Sequence, residues 1–390
     1  MRVLWLCSWY PSLIDPFDGD FIQRHAYAAA MFNDVHVIHI APDEDGKATR
    51  SVNEEIKKKG RLTECVVYFK KNTSVFGKAY GFLKWRHLFK KAITDYIDKN
   101  GKPDVVHVHV PMRAGLLALW LKRRHHIPYI VSEHWTIYQP GSTNGFTTRN
   151  ALFKFLTRRI IKKSSVLVTV SKDLGEKINE QVLHKNFLVI PNVADESLYY
   201  YQPERPKPFV FIHVSNMSCQ KNVPSIVKCF DAVHHEFPNS HLVLVGPHEK
   251  TIVDLVNQTH LLDRSIFLRG EIPYGEVANA VRGSSALVLF SRFENLPCVI
   301  IESLCCGRPV ITTPVGGIQE IINERNGLFV NVNDDGSLVI TMKKMMMDYS
   351  SFNLKEISKE ARSNFSYPVV GKLFDKIYRE MSQKSSTLHA

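Results

Sequence analysis

Two glutamates in one short stretch have surroundings that suggest chemistry. Glu302 lies within the apolar run 299–306, and Glu294 precedes it in the loop 291–296. An ionised carboxylate among apolar side chains is costly unless hydrogen bonds satisfy it. The two neighbouring hydroxyls of a ribose would satisfy it, whereas a backbone cap or an ion pair with Arg308 would do so without any ligand. The sequence alone leaves these alternatives open.

The elements around these glutamates are predicted to belong to a parallel sheet. The apolar run 286–290 predicts a buried strand, and a helix over 297–306 fits the proline in its first turn and Gly307 just past its end. A second strand is predicted over 310–313, with a glycine loop leading into another helix at Ile318. Ligands bind at the carboxyl ends of such strands, and helix N-termini favour phosphate. The stretch therefore suits an anionic ligand.

The order of these residues makes a resemblance to a known family specific. Glu294 and Glu302, with seven residues between them, are followed by Gly-Arg-Pro-Val at 307–310 and by Gly-Gly at 316–317. This set resembles the signature of the retaining nucleotide-sugar glycosyltransferases of family 4, which have the GT-B fold. The resemblance implies that Glu294 orients the hydroxyls of the donor sugar and that Glu302 holds the ribose. It also implies that the helix start at Leu296 and the Gly-Gly amides receive the diphosphate.

The composition describes a globular chain long enough for two domains. Its 390 residues are 44% hydrophobic and 23% charged, and no run reaches the roughly 18 apolar residues of a membrane-spanning helix. Seven cysteines without metal-like spacing indicate free thiols in a reducing compartment, so a cytoplasmic location is expected. The net charge of +12 predicts anionic partners, such as a nucleotide or a lipid phosphate. No recognition module supports nucleic-acid binding.

The first half of the chain reads as the opening of a doubly wound domain. A buried strand over 2–8, a helix over 21–32 and a strand over 35–40 follow one another. The loop between the first two contains a DxD sequence at 18–20, which we interpret as a turn rather than a metal site. The resemblance implies that Gly19 lies against the reacting sugar and that transfer needs no metal.

Histidines accompany two of the predicted strands in this half. His107 and His109 alternate on the strand 104–110, where hydrogen bonding within the core is the more common role. His134 directly follows the strand 129–132 at its carboxyl end, where ligands collect. Family 4 enzymes are similar here, which implies that His134 contacts the donor sugar near the reacting carbon.

The second half opens with a predicted strand over 209–214 and the loop 215–222. Lys221 stands just before a helix N-terminus, where its charge can bind a diphosphate, although a solvated loop lysine is the alternative. The family pattern places an arginine five residues before this lysine, whereas this chain has Asn216. Either Asn216 binds the phosphates as a neutral group, or another cation such as Arg292 compensates, or the donor binds more weakly.

The remaining parts of the donor site follow only from the resemblance. Backbone groups around Gly270 and Ile272 are expected to read the edge of the base. The residues with implied catalytic roles are His134, Glu294 and Lys221. The residues with implied donor contacts are Gly19, Asn216, Lys221, Gly270, Ile272, Glu294, Asn295, Leu296, Glu302, Gly316 and Gly317.

Residues 57–102 form a strongly basic segment that also contains a periodic set of apolar side chains. Apolar side chains recur in it at helical spacing, and these are Phe82, Trp85, Phe89, Ile93 and Tyr96. An aromatic stripe flanked by lysines can lie on an anionic bilayer, so peripheral membrane contact through this segment is one interpretation. A packed helix with a solvated basic face is the alternative, and it is the one we favour.

We therefore predict a GT-B protein with two Rossmann-like, doubly wound α/β domains that face a cleft. The first spans 1–195 and is completed by the C-terminal helix 369–390, and the second, which binds the nucleotide sugar, spans 196–368. The predicted enzyme is a retaining, metal-independent hexosyltransferase without a cofactor. It would transfer a sugar from a nucleoside-diphosphate sugar to a hydroxyl of a sugar or lipid-linked glycan, in polysaccharide or glycolipid synthesis.

Two other functions fit the same motifs. A sugar-nucleotide 2-epimerase of this fold would change its donor without any acceptor. A catalytically silent membrane or assembly protein could retain the scaffold, and Asn216 in place of the family arginine is the one feature that favours it. Turnover of nucleotide sugars separates these alternatives.

Overall fold

The computed structural model describes residues 1–46, 48, 53–70 and 75–387. The chain forms two compact units, each with its own sheet. The first comprises the described residues of 1–138, of 144–191 and from 367 onward, and the second comprises 139–143 and 192–366. The main change of unit thus falls between Pro191 and Asn192. Residues 139–143 pack with the second unit, which the sequence did not indicate.

A mostly parallel sheet forms the core of the first unit. In its described residues the strands are β1 (Arg2–Cys7), β2 (Asp34–Asp43), β3 (Glu54–Lys59), β4 (Leu62–Lys70), β5 (Val105–His109), β6 (Tyr129–Glu133), β7 (Val166–Thr169) and β8 (Phe187–Val189). Their order is β3-β4-β2-β1-β5-β6-β7-β8, and only the β3–β4 pair is antiparallel. The central strands are almost continuously buried because helices cover both faces of such a sheet.

The helices of this part of the chain follow the strands in alternation. They are α1 (Asp20–Ala30), α2 (Val75–Asn100), α3 (Ala114–His125), α4 (Ala151–Lys163) and α5 (Lys172–Gln181). Asn150 and Ser171 cap α4 and α5, since each side chain accepts a backbone N–H of the first turn. None of the described helices is long and apolar enough to cross a bilayer.

The basic segment 57–102 divides between two structures. Its first part forms the β3–β4 hairpin, in which β3 is an exposed and highly charged edge strand, a composition that discourages pairing with other chains. Its second part forms α2, where Phe82 is exposed. The buried members of the stripe, none more than 7% exposed, are Trp85, Phe89, Ile93 and Tyr96. Most of the stripe therefore packs into the protein, as the favoured interpretation predicted. Residues 71–74 of the segment lie outside the described residues.

The second unit contains a parallel sheet with the order β11-β10-β9-β12-β13-β14. Its strands are β9 (Phe209–Val214), β10 (Ser240–Val245), β11 (Ile266–Leu268), β12 (Ala286–Leu289), β13 (Val310–Thr312) and β14 (Gly327–Phe329). Its helices are α6 (Val223–Glu236), α7 (Lys250–Gln258), α8 (Tyr274–Arg282), α9 (Cys298–Cys305), α10 (Asp335–Met347) and α11 (Leu354–Phe365). The order reverses direction at β9 and β12, which makes their carboxyl ends the place where such sheets bind ligands.

Two local expectations need correction. The helix expected from Ile318 is a short 3-10 turn, Gly316–Glu320, because the chain must enter β14 a few residues later. The last helix, α12 (Tyr367–Thr387), begins two residues earlier than expected. It belongs to the first unit, where Gly371 allows it to approach α1: an added Cβ would lie 2.2 Å from the Ala28 carbonyl oxygen.

Candidate active site

Lys221 and Glu294 form an ion pair at the carboxyl edge of the second sheet. Lys221 ends the 3-10 turn Cys219–Lys221 that follows β9, and Glu294 lies in the loop that follows β12. The Lys221 Nζ lies 2.5 Å from the Glu294 Oε1, and the two side chains are only 15% and 6% exposed. The loops meet because β9 and β12 are parallel neighbours in the sheet. The structure thus brings together two of the three residues with predicted catalytic roles.

Arg292 fixes the turn that carries Lys221. Its backbone N–H donates to the Gln220 carbonyl at 2.9 Å, and its Nη1 donates to the Cys219 carbonyl at 2.6 Å. Its Nη2 donates to the Asn222 Oδ1 at 3.1 Å. The exposed guanidinium therefore supports the backbone and side chains of this turn. Compensation by Arg292 for the missing arginine stays a prediction.

The loop that carries Asn216 is supported from within the sheet. Asn216 is exposed, and its Oδ1 accepts the Ser218 N–H at 3.2 Å. The buried His213 hydrogen-bonds the Ser215 hydroxyl at 2.7 Å, and desolvation lowers the pKa of His213 to about 4. Gly246 permits the close approach of this loop, since a Cβ there would lie 1.9 Å from the Ser215 carbonyl oxygen. Sequence reasoning did not find His213 as a support for this loop.

Glu302 is buried in the middle of α9, with 4% of its surface exposed. The Tyr274 hydroxyl donates to its Oε1 at 2.8 Å. Arg308, considered from the sequence as a partner, instead donates its guanidinium N–H groups to the carbonyl oxygens of Glu204 and Arg282. A carboxylate offers more acceptor sites than one hydroxyl uses, and the contact between Glu302 and a ribose diol stays a prediction.

The Gly-Gly loop lies directly on the loop of Glu294. Gly316 has φ +54°, and a Cβ there would lie 2.0 Å from the Glu294 carbonyl oxygen, so only glycine fits. The Gly317 N–H donates to the Asn295 carbonyl at 2.7 Å. That amide has a partner within the protein, and the predicted contact of the Gly-Gly amides with a diphosphate stays a prediction.

We expect Gly316→Ala to displace the Glu294 loop. The positive φ and the overlap with a backbone oxygen should cost about 1–3 kcal/mol of unfolding free energy and weaken nucleotide binding. Chemical denaturation and calorimetric titration with UDP, GDP and ADP measure both effects. Gly275→Ala is the matched control, because no atom lies within 4 Å of a Cβ added there. Equal stability and affinity in the two variants would contradict the expectation.

Asn295 and Leu296 connect Glu294 to the start of α9. Both are 4% exposed. The Asn295 Oδ1 accepts the Gln139 Nε2 at 3.0 Å, and the Leu296 carbonyl accepts the Asn192 Nδ2 at 2.6 Å. These two amides hold the loop from outside its own sequence, and neither was predicted. The α9 N-terminus is consequently held in place next to the ion pair.

Gly270 and Ile272 occupy the segment between β11 and α8. The Gly270 N–H donates to the His248 Nε2 at 2.8 Å, and its carbonyl accepts the Gly246 N–H at 2.9 Å. Both backbone groups of Gly270 thus have partners within the protein, and the contact of this segment with a base stays a prediction. Ile272 is half-buried, and its predicted contact with the base stays a prediction.

In the first unit, the DxD sequence forms a turn, as predicted. The Asp15 carboxylate accepts the backbone N–H of Asp18 at 3.1 Å, and the Asp20 carboxylate pairs with the α1 guanidinium of Arg24 at 2.8 Å. Gly19 has φ +68°, and a Cβ there would lie within 2.9 Å of backbone atoms of Trp9. Glycine is therefore required where the two parts of this loop touch.

His134 belongs to a cluster of buried histidines at the carboxyl edge of the first sheet. Its Nε2 lies 3.2 Å from the His109 Nδ1, and its ring centroid lies 5.6 Å from that of His25. Desolvation lowers the pKa of His25 to about 4 and the pKa values of His109 and His134 well below the usual range. Neutral imidazoles donate and accept hydrogen bonds, which suits sugar hydroxyls. His107 bonds the Tyr378 and Ser132 hydroxyls, in the core role that was predicted.

Three histidines of the same cluster are close enough together to coordinate a metal ion. One ligand atom from each of His25, His109 and His134 lies within 4.8 Å of the others, a spacing that could hold a metal ion. Metal-independent transfer therefore stays a prediction. The contact between His134 and a sugar stays a prediction too.

Family models match both halves of the chain. The model described as Glycosyltransferase Family 4 matches residues 25–198, and the model described as Glycosyl transferases group 1 matches residues 201–364. Together these ranges contain every residue that the sequence predicts for the catalytic and donor sites except Gly19.

Curated relatives and solved structures agree with the models. The chain is 30% identical to N-acetyl-alpha-D-glucosaminyl L-malate synthase of Bacillus anthracis over 59% of this chain and 62% of that protein, so the match spans less than two thirds of this relative. It is 24% identical to the putative teichuronic acid biosynthesis glycosyltransferase TuaC of Bacillus subtilis over 85% of each.

Two structures share the fold at low identity. Sucrose-phosphate synthase from Thermosynechococcus elongatus has a TM-score of 0.77 and 18% identity over 98% of this chain and 99% of that one. HepE of Anabaena in complex with UDP has a TM-score of 0.72 and 15% identity over 97% of this chain and 100% of that one.

The family models and the structural similarity together confirm the predicted GT-B fold and the predicted enzyme class. The chain belongs to the family 4 glycosyltransferases.

Proposed function

We propose that the chain is a retaining, metal-independent hexosyltransferase that uses a nucleoside-diphosphate sugar. The observation that carries this proposal is the Lys221–Glu294 pair, in which a cation and a carboxylate are held 2.5 Å apart at the ligand-binding edge of the second sheet. Glu302, eight residues beyond Glu294 in the same buried stretch, supplies a second carboxylate for the nucleoside.

The reaction requires that negative charge developing on the leaving diphosphate be stabilised. A preorganised cation does this without rearranging at the moment of reaction. Lys221 is such a cation, because Arg292 and its neighbours fix the turn around it. When the donor binds, the phosphates compete with Glu294 for Lys221, and the released carboxylate can then accept hydrogen bonds from the sugar hydroxyls.

The proposed transfer retains the configuration of the sugar, as the family resemblance implies. The bond between the anomeric carbon and the diphosphate oxygen breaks, and the acceptor oxygen forms its bond on the same face of the sugar. The departing phosphate oxygen takes the acceptor proton, so no protein base is needed. The chain's own groups therefore bind, orient and stabilise charge, and no cofactor is proposed.

The acceptor class is proposed from the relatives. Their names include a putative teichuronic acid biosynthesis glycosyltransferase and alpha-monoglucosyldiacylglycerol synthases, of which one is from Acholeplasma laidlawii. We accordingly propose a hydroxyl of a cell-surface polysaccharide precursor or a glycolipid as the acceptor.

Proton NMR of the full chain with UDP-, GDP- and ADP-sugars tests this function. Transfer or slow hydrolysis that keeps the anomeric configuration of the donor, and that EDTA does not change, supports the proposal. A product with inverted anomeric configuration would overturn the retaining mechanism. Activity that is lost in EDTA and restored by zinc would overturn metal independence. An epimerised donor without acceptor identifies the 2-epimerase, and no turnover with every donor identifies the silent scaffold.

A further inference from the structure

A groove on the first unit lies outside all of the residues discussed so far. It runs between α3 and α4 and has a volume of about 590 Å³, within the roughly 300–1,000 Å³ typical of ligand sites. Its floor is apolar and consists of Leu116, Leu119, Trp120 and Leu156. The groove can therefore accommodate a hydrocarbon segment.

Arginines form the rest of the groove. Arg123 and Arg124 come from the last turn of α3, and Arg159 comes from α4. All three are exposed, and in the described part of the chain no carboxylate forms a salt bridge with any of them. Neither α3 nor α4 contains an aspartate or a glutamate. Arginines without a salt-bridge partner, in a groove whose lining contains no acid, favour a phosphate, which they can bind through two N–H groups at once.

The apolar floor continues onto the exposed surface of α4. Leu152 and Phe155 are 65% and 55% exposed, and helical spacing places them on the same side as Leu156 and Arg159. Exposed large apolar side chains beside a basic rim are typical of surfaces that meet a membrane. A free phosphate ion would contact the arginines but would make no favourable contact with the apolar floor.

We propose that the α3–α4 groove binds an anionic phospholipid of a bilayer. The lipid phosphate lies on Arg123, Arg124 and Arg159, and one acyl chain lies along the apolar floor. The groove thereby holds the first unit on an anionic membrane. This role is independent of which sugar is transferred, and its site is separate from the basic segment 57–102 that was considered for membrane contact from the sequence.

Vesicle co-sedimentation of the full chain tests the phosphate contacts. At low salt we expect binding to phosphatidylglycerol vesicles and little binding to phosphatidylcholine vesicles. The triple variant Arg123→Gln, Arg124→Gln, Arg159→Gln should bind phosphatidylglycerol about 100-fold more weakly, since each basic residue at an anionic surface contributes about 1 kcal/mol. The matched control removes the same charge from α11 through Lys355→Gln, Lys359→Gln, Arg362→Gln. Equal losses in the two triple variants would show that only net charge matters and would overturn the site.

Fluorescence tests the acyl-chain contact. Vesicles with brominated phosphatidylglycerol chains should quench Trp120, and Trp120→Phe should lose that quenching while it keeps vesicle binding. Leu156→Asn should weaken binding about tenfold, because it places an amide on the apolar floor. Unquenched Trp120 would overturn the acyl-chain contact. Release from vesicles by millimolar inorganic phosphate at constant ionic strength would identify a site for free phosphate and would also overturn the proposal.

Discussion

Glu302→Ala is expected to abolish measurable nucleotide binding while the chain stays folded. The carboxylate is 4% exposed, so its hydrogen bonds to the two ribose hydroxyls would form away from water. Hydrogen bonds to a charged group contribute about 1.5–3 kcal/mol each, which predicts a loss of affinity of about 100-fold or more. Calorimetric titration with UDP, GDP and ADP measures it. The fold should survive, since the substitution removes a buried charge and leaves alanine, a good helix former, within α9.

Tyr274→Phe is the matched control for this experiment. It removes only the hydroxyl that donates to Glu302 and keeps the carboxylate and the ring. We expect about a tenfold loss of affinity or less, because the carboxylate can still accept from the ribose. Unchanged affinity of Glu302→Ala, beside a normal thermal unfolding profile, would remove the ribose role from this residue.

Lys221→Met should lower kcat by about 100- to 1,000-fold, the size of effect seen when one preorganised group that stabilises transition-state charge is lost. It should also lower stability, because Glu294 is 6% exposed and would lose its cationic partner. Steady-state kinetics with the donor identified by NMR and chemical denaturation measure the two effects separately.

A double variant separates catalysis from stability. Lys221→Met combined with Glu294→Gln removes both charges, so its unfolding free energy should lie above that of Lys221→Met alone. Its kcat should stay as low as that of the single variant or fall further. If the double variant recovered activity together with stability, the effect of Lys221 would be structural and its role at the diphosphate would be lost.

Several features were predictable because they depend on short-range patterns. Buried runs such as 286–290 and the proline and glycine around 297–307 locate a strand and a helix from local preferences. Parallel strands then place Lys221 and Glu294 at one edge, although the two residues are 73 positions apart. The turn at 18–20 was recognised for the same local reason.

Other features were not predictable, because they depend on side chains that meet only after folding. Arg292 reaches the turn of Lys221, and Gln139 and Asn192 hold the start of α9 from distant parts of the chain. Tyr274 meets Glu302 in the same way. The β3–β4 hairpin was missed because its lysines read as part of a continuous basic segment.

By itself the amino-acid sequence determined the two-unit α/β architecture and the family. The periodicity of apolar residues, the turn residues and the order of the motifs are local properties, so they can be read along the chain. Only the tertiary structure decided which polar groups pair. It joined Lys221 to Glu294, engaged the Gly317 amide with Asn295 and turned the α2 stripe inward. Hydrogen bonds and packing form between whichever groups the completed sheets bring within a few ångströms, and that proximity is a property of the folded chain.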